Sequence, residues 1–504
     1  MNFKKLSVNK HKDAGMINNS ISEDKTIPLD EQALREIFKD SSDVVFSALQ
    51  FNQYQVTLVY CKGLVSNDML YKTIPLRLEE FFKDLPNEMN EETLQFLKLP
   101  TVTPVVTREK SIDEVFSGKL LLIFTWLNLV YAVDASDLPQ RKPEEGNMEI
   151  SIKGPRDNFI EDIFVNYALI RKRLRTTSLQ SESFEVGKRT KTKVSLLYMK
   201  DLANPEIIDN IRNKINEIDI DGLYSGAQLE GLINDNPYSV FPRHTYTGRP
   251  DFAVQSLLNG RFIVLIEGVP YAYIAPVNLF FLLKAAEDSE TNYFYNAFQR
   301  IMRALGIAVA TFLPGFWVAL TSFHQNQLPF TLLATVIESR RGVPFPTALE
   351  AILMLILFEV FREAGLRLPV SIGQTLSVIG GLIIGDAAIR AGLTNPAMLV
   401  VIAASTIATF TLVNQTLVGA ISLLRFVVIF FSATLGFFGF FTSIFLIGTF
   451  AAKVQSFNLP YLQVAERLSL RYVLKAIMRI PVKKDDSRPG SLKPADPTKQ
   501  GGNS

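Results

Sequence analysis

The stretch Phe426-Val-Val-Ile-Phe-Phe-Ser-Ala-Thr-Leu-Gly-Phe-Phe-Gly-Phe440 carries no charge, and Arg425 just before it is the only charged residue between Ala391 and Ala452. Placing an arginine or lysine at the centre of a hydrocarbon layer costs about 2.5 to 3.5 kcal/mol on insertion scales, so uncharged runs of this length are what lipid selects. Upstream of Arg303, charges fall at ordinary intervals. The chain therefore divides into a water-facing half and a bilayer-facing half. Its class is α+β: an N-terminal α/β region of two subdomains, followed by an α-helical transmembrane domain of four to six segments.

Composition agrees when read by region. The 52 basic and 50 acidic residues in 504 nearly cancel, giving no general pull toward nucleic acid. Cys61 is the only cysteine, so no intrachain disulfide forms and nothing points to an oxidising compartment. Residues 1–25 are polar and aperiodic, which predicts a disordered tail. They lack an apolar core of secretory length, so the soluble half is expected in the cytoplasm.

Outward from the apolar stretch, the soluble region reads as two subdomains, 26–145 and 146–285. Asp30 starts a helix through Leu34 and Phe38, and Tyr54 to Tyr60 reads as a strand ended by Gly63. Leu120 to Val133 is apolar but too short to span a bilayer, so it is expected as a buried strand or helix. Asp134 to Gly146 looks like a linker. Strand and helix cues then alternate: Lys193 to Tyr198, Pro205 to Asn216, and Phe262 to Glu267. Residues 286–303 are expected as an interfacial linker helix, with Tyr293, Phe294, Tyr295 and Phe298 beside Arg300 and Arg303.

The transmembrane domain is placed at 304–452. Ala304 to Phe323 makes one span with a kink expected at Pro314 and Gly315, and Gly342 to Phe358 reads as a short or re-entrant helix. Leu368 to Gly385, Pro396 to Gln415, and Phe426 to Ala452 supply the others, with Asn395 as N-cap and Pro396 as first helical residue. Residues 453–480 carry Arg467, Arg471, Lys475 and Arg479 on one face of a basic amphipathic helix suited to an anionic cytoplasmic leaflet. Residues 481–504 read as a disordered tail. Both ends inside require an even number of crossings; four is the favoured count and six the alternative.

No enzyme constellation is present, and neither a cofactor nor a metal site is expected. His11, His244 and His324 lie too far apart in the chain for a sequence-adjacent metal site, and no phosphate-binding loop ends in Gly-Lys-Ser or Gly-Lys-Thr. Small residues at four-residue spacing are a better signal. Ser377, Gly381 and Gly385, and Ser432 with Gly436, form faces on which helix backbones approach closely, within one subunit or between subunits. Polar groups at membrane depth must face protein or water: Glu350, Glu359, Glu363, Gln374, Asp386 and Arg390 are the pore or gating candidates. Asp386 and Arg390 sit four apart and can pair, and Glu359, Arg362 and Glu363 can do likewise, whereas Glu350 has no local partner and is expected at a wet cavity or pore. The cluster Arg171, Lys172, Arg173 and Arg175 reads as a solvated helix face, with phospholipid or nucleic acid as the weaker alternative.

Several of these stretches resemble one family. Gly154-Pro155-Arg156 with Phe159, Glu161, Asn166 and Leu169 to Arg173 is similar to the first motif of bacterial spore germinant receptor A subunits, the GerA family. The similarity continues through Arg249-Pro250-Asp251, Gly260-Arg261, Gly268 to Pro270 and Pro276. In the apolar half it includes Phe323-His324, Gly342 to Pro346, Leu349-Glu350, Phe361 to Pro369 and Ile372 to Gln374, so that it covers about residues 150 to 462. The chain departs from the family pattern at Gly248, where a glutamate is expected, at Arg341, where an acidic residue is expected, and at Leu355, where a carboxylate is expected. The resemblance implies a subunit of a nutrient sensor in the spore inner membrane. Such a subunit acts with a transporter-like B subunit and a lipoprotein C subunit, oligomerises, and relays or conducts the ion release that starts germination. A stand-alone transporter and a non-conducting scaffold are the competing classes; inverted repeats that would favour a transporter are not evident.

Overall fold

The computed structural model describes residues 29–83 apart from 52, residues 97 and 99, and residues 101–137, 154–234, 239–367, 385–462 and 487–499. The expected linker at 134–146, the segment 368–384 with Gln374, Ser377 and Gly381, and the amphipathic helix at 467–479 therefore fall wholly or mostly outside the described residues.

Two five-stranded antiparallel sheets make up the soluble body. The first contains β1 (Val44–Phe51), β2 (Tyr54–Cys61), β3 (Thr103–Pro104), β4 (Leu120–Phe124) and β5 (Leu129–Val133), in the order β1-β2-β4-β5-β3. The second contains β6 (Leu179–Val186), β7 (Thr192–Met199), β8 (Thr245–Thr247), β9 (Phe262–Ile266) and β10 (Ala272–Ala275), in the order β6-β7-β9-β10-β8. Position for position the two orders are the same, so the soluble body is a tandem of one topology. Leu120 to Val133 is a hairpin, not one element, and it turns where Asn128 adopts φ +53°, a left-handed conformation that asparagine tolerates.

Helices pack on each sheet. α1 (Glu31–Ile37) is capped by Asp30, whose carboxylate accepts from the Ala33 amide, and α2 (Ile74–Lys83) buries Ile74, Leu78 and Phe82. α3 (Arg108–Phe116) lies beside β4. In the second unit, α4 (Ile163–Arg171) precedes the sheet, α5 (Pro205–Asn216) and α6 (Gly226–Ile233) follow β7, and α7 (Pro250–Leu258) follows β8. α5 shows why helices of this kind form: Asn204 caps it, Pro205 starts it, and Ile207, Ile208, Ile211 and Ile215 form the buried stripe.

After the short α8 (Leu279–Leu282) the chain enters α9 (Tyr293–Phe323), then α10 (Phe330–Ser339), α11 (Thr347–Arg367), α12 (Gly385–Arg390), α13 (Pro396–Thr409) and α14 (Gln415–Lys453). The linker helix expected at 286–303 and the span expected from Ala304 are one continuous α9, capped by Asn292, and Pro314 sits inside it without ending it. The helix expected over Pro396 to Gln415 stops at Thr409, because Asn414 caps a new helix by accepting from the Leu417 amide. The helix expected over Gly342 to Phe358 starts later, at Thr347, and runs on to Arg367 as α11.

α14 reverses on itself. The Asn414 side chain donates to Thr245 Oγ1 at 2.7 Å, and Ser456 Oγ, beyond the other end, donates to the Arg243 carbonyl at 2.6 Å. A straight helix of 39 residues would hold its ends apart by about 58 Å at 1.5 Å per residue, so anchors two residues apart require a fold-back. It occurs at Gly436, with φ +61° and ψ −137°, a conformation open to glycine alone. A Cβ there would lie 2.8 Å from the His324 ring and 3.0 Å from Phe323 Cβ, so the hairpin tip packs on the end of α9.

The soluble and helical bodies share one core. Ile263, Leu265, Ile274, Phe281 and Tyr461 cluster with Ala310, Leu412, Leu417, Ile421, Ala451 and Val454. The segment expected to begin an amphipathic helix at 453 instead pairs β11 (Gln455–Ser456) with β12 (Leu459–Pro460) against the second sheet unit, where Phe457 meets Phe262 edge-on. Part of the C-terminal tail is likewise structured: Leu492 is buried in the second unit's core, and the Ala495 amide donates to the Leu202 carbonyl.

Candidate functional site: the junction of sheets and helices

Charged side chains concentrate where the second sheet unit meets α9. Arg249 precedes Pro250, the first residue of α7, and is buried. Its guanidinium donates to both oxygens of Asp251, at 3.1 and 2.7 Å, and to Glu287 Oε1 at 2.5 Å. Burial opposes its charge, but the hydrogen bonds to Asp251 and Glu287 override that and raise its pKa. The next residue, Asp288, turns to the helix: it accepts from Arg300 Nε at 3.1 Å and from Arg303 Nη1 at 2.9 Å, and its carbonyl accepts from Asn296. Adjacent carboxylates thus tie α7 on one side and α9 on the other. Both carboxylates lie on one short segment, Ala286–Ser289.

Arg261 reinforces the junction from beneath. Its Nε donates to the Pro276 carbonyl at 3.1 Å, its guanidinium lies 3.8 Å from the Phe281 ring centroid, and burial pulls its pKa down to about 9. His244 pairs with Glu230 nearby.

The basic cluster after α4 has an interior role in part. Arg171 is fully buried and forms a two-pronged pair with Asp43 of the first unit, at 2.8 and 3.0 Å, while donating to the carbonyls of Thr176 and Leu179. It is an internal lock between the two sheet units, and Arg173 pairs with Asp157. Burial pushes the pKa of Asp43 up, but the charge and hydrogen bonds of Arg171 hold it below the ordinary carboxylate value. Sequence spacing does not reveal this lock, because the partners are 128 positions apart. Gly154, Pro155 and Arg156 lie in the loop ahead of α4.

The described membrane-depth candidates are spread along α11 and α12. Glu350 is fully buried, and its Oε1 accepts from Thr394 Oγ1 at 2.8 Å, the Asn395 amide at 2.6 Å and Asn395 Nδ2 at 2.7 Å. It finds its partners across space at the N-terminus of α13, where the helix dipole favours a carboxylate. Its Oε2 is buried without a partner among the described residues. Nine residues on along α11, Glu359 pairs with Arg362, which also donates to Ser422. Asp386 and Arg390 pair at 2.9 Å on an exposed face of α12, as their spacing predicts. Leu355, standing where a carboxylate was expected, is buried against Val318 and Met354. Ser432 and Gly436 pack α14 on α9 within this chain: a Cβ on Gly315 would lie 2.5 Å from Val428 Cγ1 and 3.0 Å from Ser432 Oγ. Gly385 lies against Leu399. No group of three metal-binding side chains gathers among the described residues.

This architecture defines a class: a tandem sheet body bolted by an ion-paired junction to helices, of which two, Tyr293–Phe323 and Gln415–Lys453, are long and apolar enough to cross a membrane. The Bacillus/Clostridium GerA spore germination protein family matches residues 32–491, and the chain belongs to that family. Spore germination protein XA of Bacillus anthracis is 43% identical over 485 residues, covering 94% of this chain and 98% of that protein. Spore germination protein KA of Bacillus subtilis (strain 168) is 30% identical over 468 residues, covering 92% and 86%. A solved structure, the N-terminal domain of the A subunit of the Bacillus megaterium spore germinant receptor GerK3, is 28% identical, covers 49% of this chain and 92% of that one, and has a TM-score of 0.37. The family resemblance carried by the motifs between about 150 and 462 is confirmed, and the match extends beyond them at both ends.

Proposed function

We propose that the protein is the A subunit of a nutrient germinant receptor in the spore inner membrane, with its sheet body in the cytoplasm. It acts with a transporter-like B subunit and a lipoprotein C subunit, oligomerises, and relays or conducts the ion release that starts germination. The observation that carries this reading is the family match over residues 32–491. The shared core of sheets and helices, and the Arg249–Glu287, Asp288–Arg303 junction, support a relay in which the two bodies move as coupled parts. No catalytic step is part of the proposal.

Helix ends favour six crossings over four. Both ends of α14 meet the sheet body while its midpoint meets the far end of α9. α11 runs from Glu350, beside Asn395, to Arg362, beside Ser422, only seven residues into α14. It therefore passes from the far side to the near side.

Potassium flux from liposomes holding the purified protein, alone and with its partner subunits, tests the conducting role. Nutrient-triggered germination of spores that lack the chain tests the receptor role. Loss of the nutrient response together with flux supports the full proposal. Loss of the response without flux in any combination overturns conduction and leaves the non-conducting scaffold. Spores that respond normally to every nutrient of the wild type overturn the receptor assignment.

A further inference from the structure

A cavity of about 300 Å³ opens between the end of α9 and α10, at the pole opposite the sheet body. Leu328, Leu333, Val336, Ile337 and Val343 supply its apolar lining, and Thr321, Gln325 and Arg340 its polar lining. The volume is at the lower end of the range of about 300 to 1,000 Å³ for small-ligand pockets. Arg341 is paired with Glu338, whereas the Arg340 guanidinium has no hydrogen-bond or ion-pair partner among the described residues. α10 itself is barely docked: only Val336 is buried, and Phe330, Leu332 and Ile337 are exposed, Phe330 at 85%. An apolar trough beside a guanidinium that is unpartnered among the described residues, beneath a helix with bare apolar side chains, has the polarity of an amphiphile with an anionic head.

We propose that this pocket is a binding site for an anionic glycerophospholipid, with its phosphate on Arg340 and one acyl chain lying along Leu333, Val336 and Ile337 under α10. The occupant is a lipid and not a soluble anion, because the apolar walls continue into the exposed face of α10, so a chain that leaves the pocket stays on apolar surface. Arg340 supplies a forked donor matched to phosphate oxygens. The inference rests on the membrane assignment made above.

Two tryptophans make the test direct. Trp317 lies one turn before Thr321 on the same helix stripe, and Thr321 Oγ1 donates to its carbonyl, whereas Trp126 is in the first sheet unit. The full chain is placed in phosphatidylcholine nanodiscs containing a small fraction of lipid brominated on its acyl chains, either phosphatidylglycerol or phosphatidylcholine, and fluorescence quenching is followed in the Trp126→Phe background. Selective, saturable quenching of Trp317 by the brominated phosphatidylglycerol is expected, with apparent affinity about tenfold lower in Arg340→Gln, the loss that one charge-assisted contact implies. A second variant, Leu333→Phe, should crowd the trough and remove the selectivity while Arg340 remains, without adding a second indole to the readout. Equal quenching by both lipids, unchanged in Arg340→Gln, would mean ordinary bilayer contact or occupation by a second copy, and overturns the site. Failure of the protein to enter nanodiscs at all would overturn the membrane assignment instead, which keeps the two failures apart.

Discussion

The Asp43–Arg171 pair of the sheet body and the charges Arg425 and Glu350 of the helical body are buried in opposite ways. In the sheet body Asp43 and Arg171 satisfy each other through two hydrogen bonds, and the guanidinium also donates to the Thr176 and Leu179 carbonyls. In the helical body Arg425 donates from Nε to the Ala310 carbonyl at 2.8 Å, but among the described residues its buried Nη2 has no partner, and neither has Glu350 Oε2. A fully paired ion couple is a lock, because breaking it strands a charge. A partly satisfied one is held mainly by its surroundings and gains by finding a new partner when those surroundings shift. The contrast makes the Asp43–Arg171 pair a lock in the sheet body and leaves Glu350 and Arg425 with exchangeable polar contacts in the helices.

The lock offers the hardest test. Asp43→Ala strands Arg171 and should cost about 3 to 5 kcal/mol, read as a lowered urea midpoint of the purified full chain, whereas the pair replacement Asp43→Leu with Arg171→Met should recover most of it. The pH dependence has a definite sign. The folded-state pKa of Asp43 is depressed, so the pair's contribution is complete above the unfolded carboxylate value of about 3.9 and is lost as pH falls through the lower folded value. If Asp43→Ala unfolds with the wild-type midpoint, the two bodies do not differ in the way described.

Glu350 sharpens the comparison. Glu350→Ala removes the acceptor for three donors at the start of α13 and should destabilise the helical body by about 2 kcal/mol or more. Glu350→Gln keeps an acceptor at Oε1 and puts an amide at the unpartnered oxygen, so stability should barely change. Nutrient response in spores then separates the roles: a stable Glu350→Gln protein that no longer responds shows that the charge itself matters, and one that responds normally shows a purely structural cap.

Close packing comes next in size. Gly315→Ala sets a methyl 2.5 Å from Val428 Cγ1, and such crowding should cost about 1 to 3 kcal/mol, measurable as a lower melting temperature in detergent. If the melting temperature is unchanged, the α9–α14 seam is looser than its geometry states.

Local features were legible in the sequence. Asp30, Asn204-Pro205 and Asn395-Pro396 mark helix starts by side-chain chemistry confined to one turn, and each start lies where that chemistry put it. Reversals and long-range pairs were not. Gly436 belongs to a stripe of small residues that fits a straight helix equally well, and its positive φ comes from the close fit against Phe323 and His324. The tandem sheets share a strand order without sharing motifs, and β11 and β12 reach back to the second unit across the whole helical body. The junction was half legible. Arg249-Pro250-Asp251 stood out by resemblance, but nothing in its spacing pointed to Glu287, or to Asp288 as the hold on α9.

The Asp386–Arg390 pair sets the lower limit of the comparison. It lies within the apolar half of the sequence but is exposed on α12, with Arg390 Nε 2.9 Å from Asp386 Oδ2. If it faces water or lipid headgroups, solvent screens it and Asp386→Asn should change stability by no more than about 0.5 kcal/mol, the scale of an exposed pair four residues apart. A loss several times larger, persisting at high salt where an exposed pair is screened, would show that a neighbouring subunit covers this face. The helical body would then hold a lock of its own, formed between copies of the chain, and the division between a rigid sheet body and exchangeable helices would have to be redrawn at the level of the oligomer.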